Sequence, residues 1–224
     1  MKEFFADPMV QEYLSGLGVT AYLTLACTLA AYVIGVPIGV ILTVTDKDGI
    51  RPNRIVNAVL GFIVNIFRSV PFIILLVIVL PLTKLIVGTK VGNTAFMVPL
   101  IIAAAPFVAR MTESSLKEVD SGVIEAAQAM GSTNFQIIRK VLIPEAKPSL
   151  ITGAAIAVTT ILGYTPMATF VGGGGLGAIA VQYGLYRFQP TIMYIASILL
   201  IIMVQILQEV GLKLAKKTDK RIKN

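Results

Sequence analysis

Residues 120–148, DSGVIEAAQAMGSTNFQIIRKVLIPEAKP, form the longest polar-rich interval of an otherwise apolar chain. They read as two short helices with a corner between them. Asp120 or Ser121 can cap the first, and Val123, Ala127 and Met130 share one face at helical spacing. Gly131 follows, where a helix usually ends in a residue tolerant of positive φ. Thr133 with Gln136 three residues on is a capping box that opens the second helix. Phe135, Ile138 and Leu142 then make its apolar stripe, and Pro144 is expected to end it by disfavouring helical geometry at Ile143. Glu125, Arg139 and Lys140 surround an apolar face that must be buried against something. The interval is built to dock.

The chain on either side of it belongs in a membrane. Hydrophobic residues make up 56% of the 224, and the mean hydropathy is +0.83. Before the interval, apolar segments run at about 18–44, 55–80 and 94–108; after it they run at about 151–170 and 191–212. This makes an all-α, multi-pass protein of five transmembrane helices in a single domain, 1–224. The residues before position 17 hold Glu3, Asp7 and Glu12 against Lys2, so the positive region of a signal peptide is missing. One cysteine, Cys27, excludes an internal disulfide, and the lack of histidine removes the commonest metal ligand and general base. No catalytic residues and no metal site are expected.

The net charge of +7 could suggest nucleic acid as a partner. Its distribution points to the membrane instead. Lys and Arg concentrate in the loop after the first segment (Lys47, Arg51, Arg54), in the docking interval and in the C-terminal tail. Cytoplasmic loops carry that excess, so the N-terminus is expected outside and the C-terminus in the cytoplasm.

Arg68 is the most informative charge in an apolar setting. It lies about 20 Å along a helix from Arg54, near mid-membrane if the helix stands upright. There it would face a substrate path; alternatively the helix lies partly at the inner interface and Arg68 snorkels at its edge. The break at Val70-Pro71 bears on the same choice. Thr159, Thr160, Tyr164 and Thr165 give the fourth segment hydroxyl groups, with Pro166 as a kink, and such groups serve helix packing more often than ligands. Tyr164 and Thr165 join Arg68 as substrate-path candidates. The glycine run 172–175 lacks a following Gly-Lys-Ser/Thr and a preceding strand, so it is not a phosphate loop. The stretch 177–184 is expected to dip back toward the membrane and pack over the outer mouth.

The docking interval also carries a resemblance. Glu125-Ala126-Ala127, three residues, Gly131, nine residues and then Val141-Leu142-Ile143-Pro144 resembles the E-A-A-x3-G-x9-I-x-L-P loop of ABC importer membrane subunits. Val141 and Ile143 replace one aliphatic residue by another. The phrases NIFRSVPFIILL (65–76), IVGT (86–89), AAPF (104–107) and GGGLG (173–177) look like the methionine importer permeases of that family. The resemblance implies a type I importer permease fold in a bacterial cytoplasmic membrane, with lipid around it. Its implied partners are a second copy of the subunit, an ABC ATPase dimer and an extracytoplasmic substrate-binding protein. ATP and Mg would be used by the ATPase, leaving this chain without a cofactor. Glu125, Ala126, Ala127, Met130, Gly131, Ile143 and Pro144 would couple to the ATPase. The implied cargo is L-methionine, with D-methionine and close derivatives beside it. Another amino acid or a small peptide is the alternative cargo. An ion channel or membrane scaffold is the alternative class, and it would need filter-like carbonyls or charged rings that the sequence does not offer.

Overall fold

The computed structural model describes residues 7–219. Glu3 of the acidic N-terminal stretch and residues 220–224 of the basic tail lie outside the described residues. Every regular element in that range is a helix. α1 is Pro8–Thr45, α2 Arg54–Ser69, α3 Phe72–Val87 and α4 Asn93–Lys117. The docking interval holds α5 (Ser121–Ala129), α6 (Asn134–Ile137), a π-helical turn (Ile138–Leu142) and α7 (Ile143–Glu145). α8 (Lys147–Tyr164) passes into a 3-10 turn (Thr165–Val171); α9 (Leu176–Val181) and a second π-helical turn (Gln182–Tyr186) lead to α10 (Pro190–Thr218).

Four helical stretches are long and apolar enough to cross a membrane: Pro8–Thr45, Asn93–Lys117, Lys147–Val171 and Pro190–Thr218. The expected second span, 55–80, is not one helix. Pro71 removes a donor and pushes Val70 out of helical geometry, so α2 and α3 stop and restart around it, each with 16 residues. Counted together as one broken span, the pair brings the total to five. The third span also differs from expectation. Arg110 does not bound it, because α4 continues to Lys117 with its charges at positions 110, 113 and 117 paired along one face. α1 begins ten residues before the expected 18, at Pro8, a residue suited to a helix's first turn.

The chain forms two compact units, each assembled from three stretches of sequence. The first takes in residues up to Leu29, Val70–Ala103 and Val158–Gln208. Here the stretch 176–179, far from a loose loop, is buried. Thr20 Oγ1 accepts the Leu176 amide at 2.9 Å and donates to Gly16 O at 2.8 Å. Asn93 Oδ1 accepts the Gly174 amide at 2.8 Å. Gly175, at φ +112°, makes the turn that aims these groups. Ile179, Tyr183 and Ala196 close a small core with Met9 and Ile192.

The second unit takes in Ala30–Ser69, Ala104–Ala157 and the residues from Glu209 onward. A Cβ placed on Gly39 would lie 2.6 Å from Thr112 Cβ, so only glycine lets α1 and α4 approach this closely. Leu42, Val64 and Ala109 form one core cluster. Leu116, Val119, Ala127, Ile137, Leu142 and Ala146 form another, at the foot of the docking interval.

Candidate coupling surface and membrane site

The docking interval starts from local signals that the structure bears out. Asp120 caps α5, its Oδ1 accepting the Gly122 amide at 2.8 Å. Gly131 closes the first helix at φ +75°. Thr133 and Gln136 make the reciprocal capping box: Thr133 N donates to Gln136 Oε1 at 2.8 Å, and Gln136 N to Thr133 Oγ1 at 3.3 Å.

Pro144 does not end the second helix. Ile143 stays helical at φ −65°, ψ −45°, because the π-helical turn before it widens the backbone and shifts the hydrogen-bond register around the proline. Ala146 N then reaches Leu142 O at 3.0 Å and Leu150 N reaches Ala146 O at 2.9 Å, carrying the chain on into α8. The π-helix here is a single-turn bulge set within an otherwise α-helical run.

The apolar faces divide between two tasks. Ala127, Ile137 and Leu142 are buried, with Ile124 and Ile138 packed against them. Fully burying a side chain such as Ile137 or Leu142 contributes about 1.5–3 kcal/mol, enough to hold a loop of short helices in one shape. Val123, Met130 (79% exposed) and Phe135 (69% exposed) stay outside. Of the stripe read as Phe135, Ile138 and Leu142, the last two face the core together with Ile137, and Phe135 faces away. Glu125, Ala126, Gly131, Ile143 and Pro144 are exposed too, so of the seven coupling candidates Ala127 alone is inside the chain's own core.

The substrate-path candidates fall in separate places. Tyr164 is half-buried and stacks on Phe72 with ring centroids 4.7 Å apart; Phe72 meets Phe96 edge-on at 5.9 Å. Thr165 is buried and its hydroxyl donates to Leu162 O at 2.7 Å, which eases the change from α8 to the 3-10 turn. Arg68 belongs to the other unit, exposed in the last turn of α2.

A set of charges went unnoticed in the sequence. Arg110 Nη1 donates to Glu113 Oε2 at 2.5 Å, and Nη2 donates to Asn65 Oδ1 at 2.8 Å and Gly61 O at 3.3 Å. Lys117 Nζ donates to Glu113 Oε1 at 2.9 Å and pairs with Asp46. Glu113 is only 7% exposed. The hydrogen bond from Lys117, and after it the Lys47 amide, hold the Asp46 carboxyl below its ordinary pKa. The signal was the i, i+3, i+7 spacing of Arg110, Glu113 and Lys117. Among the described residues no three His, Cys, Asp or Glu side chains are grouped to hold a metal.

A capped, apolar-faced loop therefore sits between helices long and apolar enough to cross a membrane. The chain belongs to the family of binding-protein-dependent transport system inner membrane components, whose family model matches residues 35–217. It is thus an inner-membrane permease with the all-α, type I importer fold, not an enzyme. Its relatives narrow the class. The probable D-methionine transport system permease protein MetI of Vibrio cholerae serotype O1 is 49% identical over 202 residues, 90% of each chain. The methionine import system permease protein MetP of Bacillus subtilis is 42% identical over 181 residues, 81% of this chain and 82% of that protein. Among solved structures, a chain of the MetNI methionine ABC transporter in an inward-facing conformation is 44% identical. It superposes with a TM-score of 0.93 over 96% of this chain and 99% of that one.

Proposed function

We propose that the chain is the permease subunit of an ATP-driven importer of methionine. Two copies form the membrane channel, two ATPase subunits dock on residues 120–148, and an extracytoplasmic binding protein delivers the cargo. The N-terminus lies outside and the C-terminus inside. The observation that carries the reading is the cargo shared by the relatives: both permeases are named for methionine, and each aligns with four-fifths or more of this chain.

Val123, Met130 and Phe135 then fill a groove on the ATPase, with Glu125 and Ala126 at its edge and Gly131 setting the corner between the helices. Ile143 and Pro144 deliver the chain to α8, and Ala127 holds the loop's shape from within. ATP binding brings the ATPase subunits together, and the docked loops carry that movement into the membrane helices. Nucleotide can drive the change only by binding one conformation better than the other. Reversing a 1:99 balance takes about 5.5 kcal/mol of differential binding, which the interval must transmit without deforming. Arg68 in one unit and Tyr164 in the other are separate candidates to meet the cargo, whereas Thr165, buried with its hydroxyl on Leu162 O, serves the helix. ATP and Mg act in the ATPase, and no cofactor is held by this chain.

Purification in mild detergent with the ATPase encoded in the same genome tests the assembly. The reading expects co-elution with equal numbers of the two subunits. Elution of the permease free of ATPase, with both proteins folded, would exclude it.

A further inference from the structure

Charges buried inside a protein are costly unless paired, and one that stays there needs partners that hold it. The quartet Arg110, Glu113, Lys117 and Asp46 sums to zero and lies within one compact unit. Its ionic links run along α4 and into the loop that follows α1. Its other links run to α2, and there the acceptors, Asn65 Oδ1 and Gly61 O, are neutral. That division matters physically. Breaking the Arg110–Glu113 link would strip Arg110 of its counter-charge and leave Glu113 to Lys117 alone; breaking the links to α2 strands no charge, because Glu113 still neutralises Arg110. One arm of Arg110 is permanent and the other is releasable. Its Nε is also buried without an acceptor, so this conformation leaves unused a donor that another arrangement of α2 could satisfy.

We propose that Arg110 is a positioning residue for transport: it clamps α2 to α4 and delivers movement of the docking interval to α2. The interval begins at Asp120, three residues after Lys117, the last of the quartet's charges on α4. α2 is the helix that carries Arg68 and stops at the Val70-Pro71 break. The guanidinium fork suits the task because one planar group reaches Glu113 and Asn65 together, which a lysine ammonium cannot do in the same geometry. The inference rests on the coupling reading above.

Reconstituted vesicles holding the complete transporter and its binding protein test it, with methionine uptake and ATP hydrolysis measured together. Asn65→Ala, Arg110→Lys, Arg110→Gln and the double variant Asn65→Ala/Arg110→Gln are compared. Asn65→Ala and Arg110→Gln should each lower methionine moved per ATP at least fivefold, with Arg110→Lys failing to restore it. The double variant should be no worse than Arg110→Gln, as expected for two groups acting through one contact. Should Arg110→Gln fail to insert, Asn65→Ala decides alone, since Asn65 is exposed and its loss leaves the ion pairs intact. A normal ratio in Asn65→Ala, or uptake and hydrolysis falling in proportion, would overturn the clamp. Failure of the wild-type vesicles to take up methionine with ATP would instead remove the reading of function beneath it.

Discussion

Gly131 shows how much one residue decides. Its φ of +75° is a conformation that L side chains adopt at a cost of about 1–2 kcal/mol, yet nothing lies within 4 Å of where a Cβ would sit. The constraint is the backbone alone, not space. Gly131→Val should therefore weaken docking and uptake in assembled transporter, whereas Gly131→Asn, which tolerates the left-handed region, should retain most of both. Equal losses in the two variants would show that room rather than φ is limiting. Asp46 makes a different test, of charge. Its folded pKa is depressed, first by the hydrogen bond from Lys117. Its contribution is therefore complete above the ordinary aspartate range and is lost as pH falls through the lowered folded value. Both partners are partly exposed, so the pair is worth only about 0.5–1 kcal/mol. Asp46→Asn should lower the melting temperature of the detergent-solubilised protein slightly at pH 7, and the difference from wild type should vanish at strongly acid pH. A difference independent of pH would remove the ion pair as its cause.

At the scale of elements, close approach is the recurring device. Gly39 lets α1 meet α4 next to Thr112, and Gly39→Val should destabilise the solubilised protein by about 1–3 kcal/mol through overpacking. An unchanged melting temperature in that variant would mean the helices part without cost. The docking interval shows which parts of an element can be read from sequence. Its caps were legible, because Asp120, Gly131 and the Thr133–Gln136 box act within four residues of themselves. The stop at Pro144 was misread, because a π-helical turn changes the hydrogen-bond register and no local signal announces one. The buried stripe departs from expectation at Phe135 for a related reason. Which side of so short a helix faces inward is settled by Leu116, Val119 and Ala146, residues outside it. Val70-Pro71 was legible as an interruption but not as two separate helices. Arg110 falls just past the expected span at 94–108 because hydropathy counts its charge and not its pairing with Glu113.

For the whole molecule, composition and five apolar segments were enough for the fold class, and the docking interval was enough for the family. Orientation rests on the Lys and Arg distribution, and the exposed residues Gln189 and Lys216 test it cleanly, because the one native cysteine, Cys27, is buried. Gln189→Cys should react with a membrane-impermeant maleimide in intact cells and Lys216→Cys only after lysis; the reverse pattern would invert the topology. The central claim is that this chain carries methionine inward at the expense of ATP. Its most direct measurement uses sealed vesicles containing the chain with its ATPase, ATP on the cytoplasmic side and labelled methionine with the binding protein on the other. The account predicts accumulation of methionine above the supplied concentration, dependent on hydrolysable ATP and competed by unlabelled L- or D-methionine. Equilibration without accumulation, or equal uptake with a non-hydrolysable analogue, would contradict it.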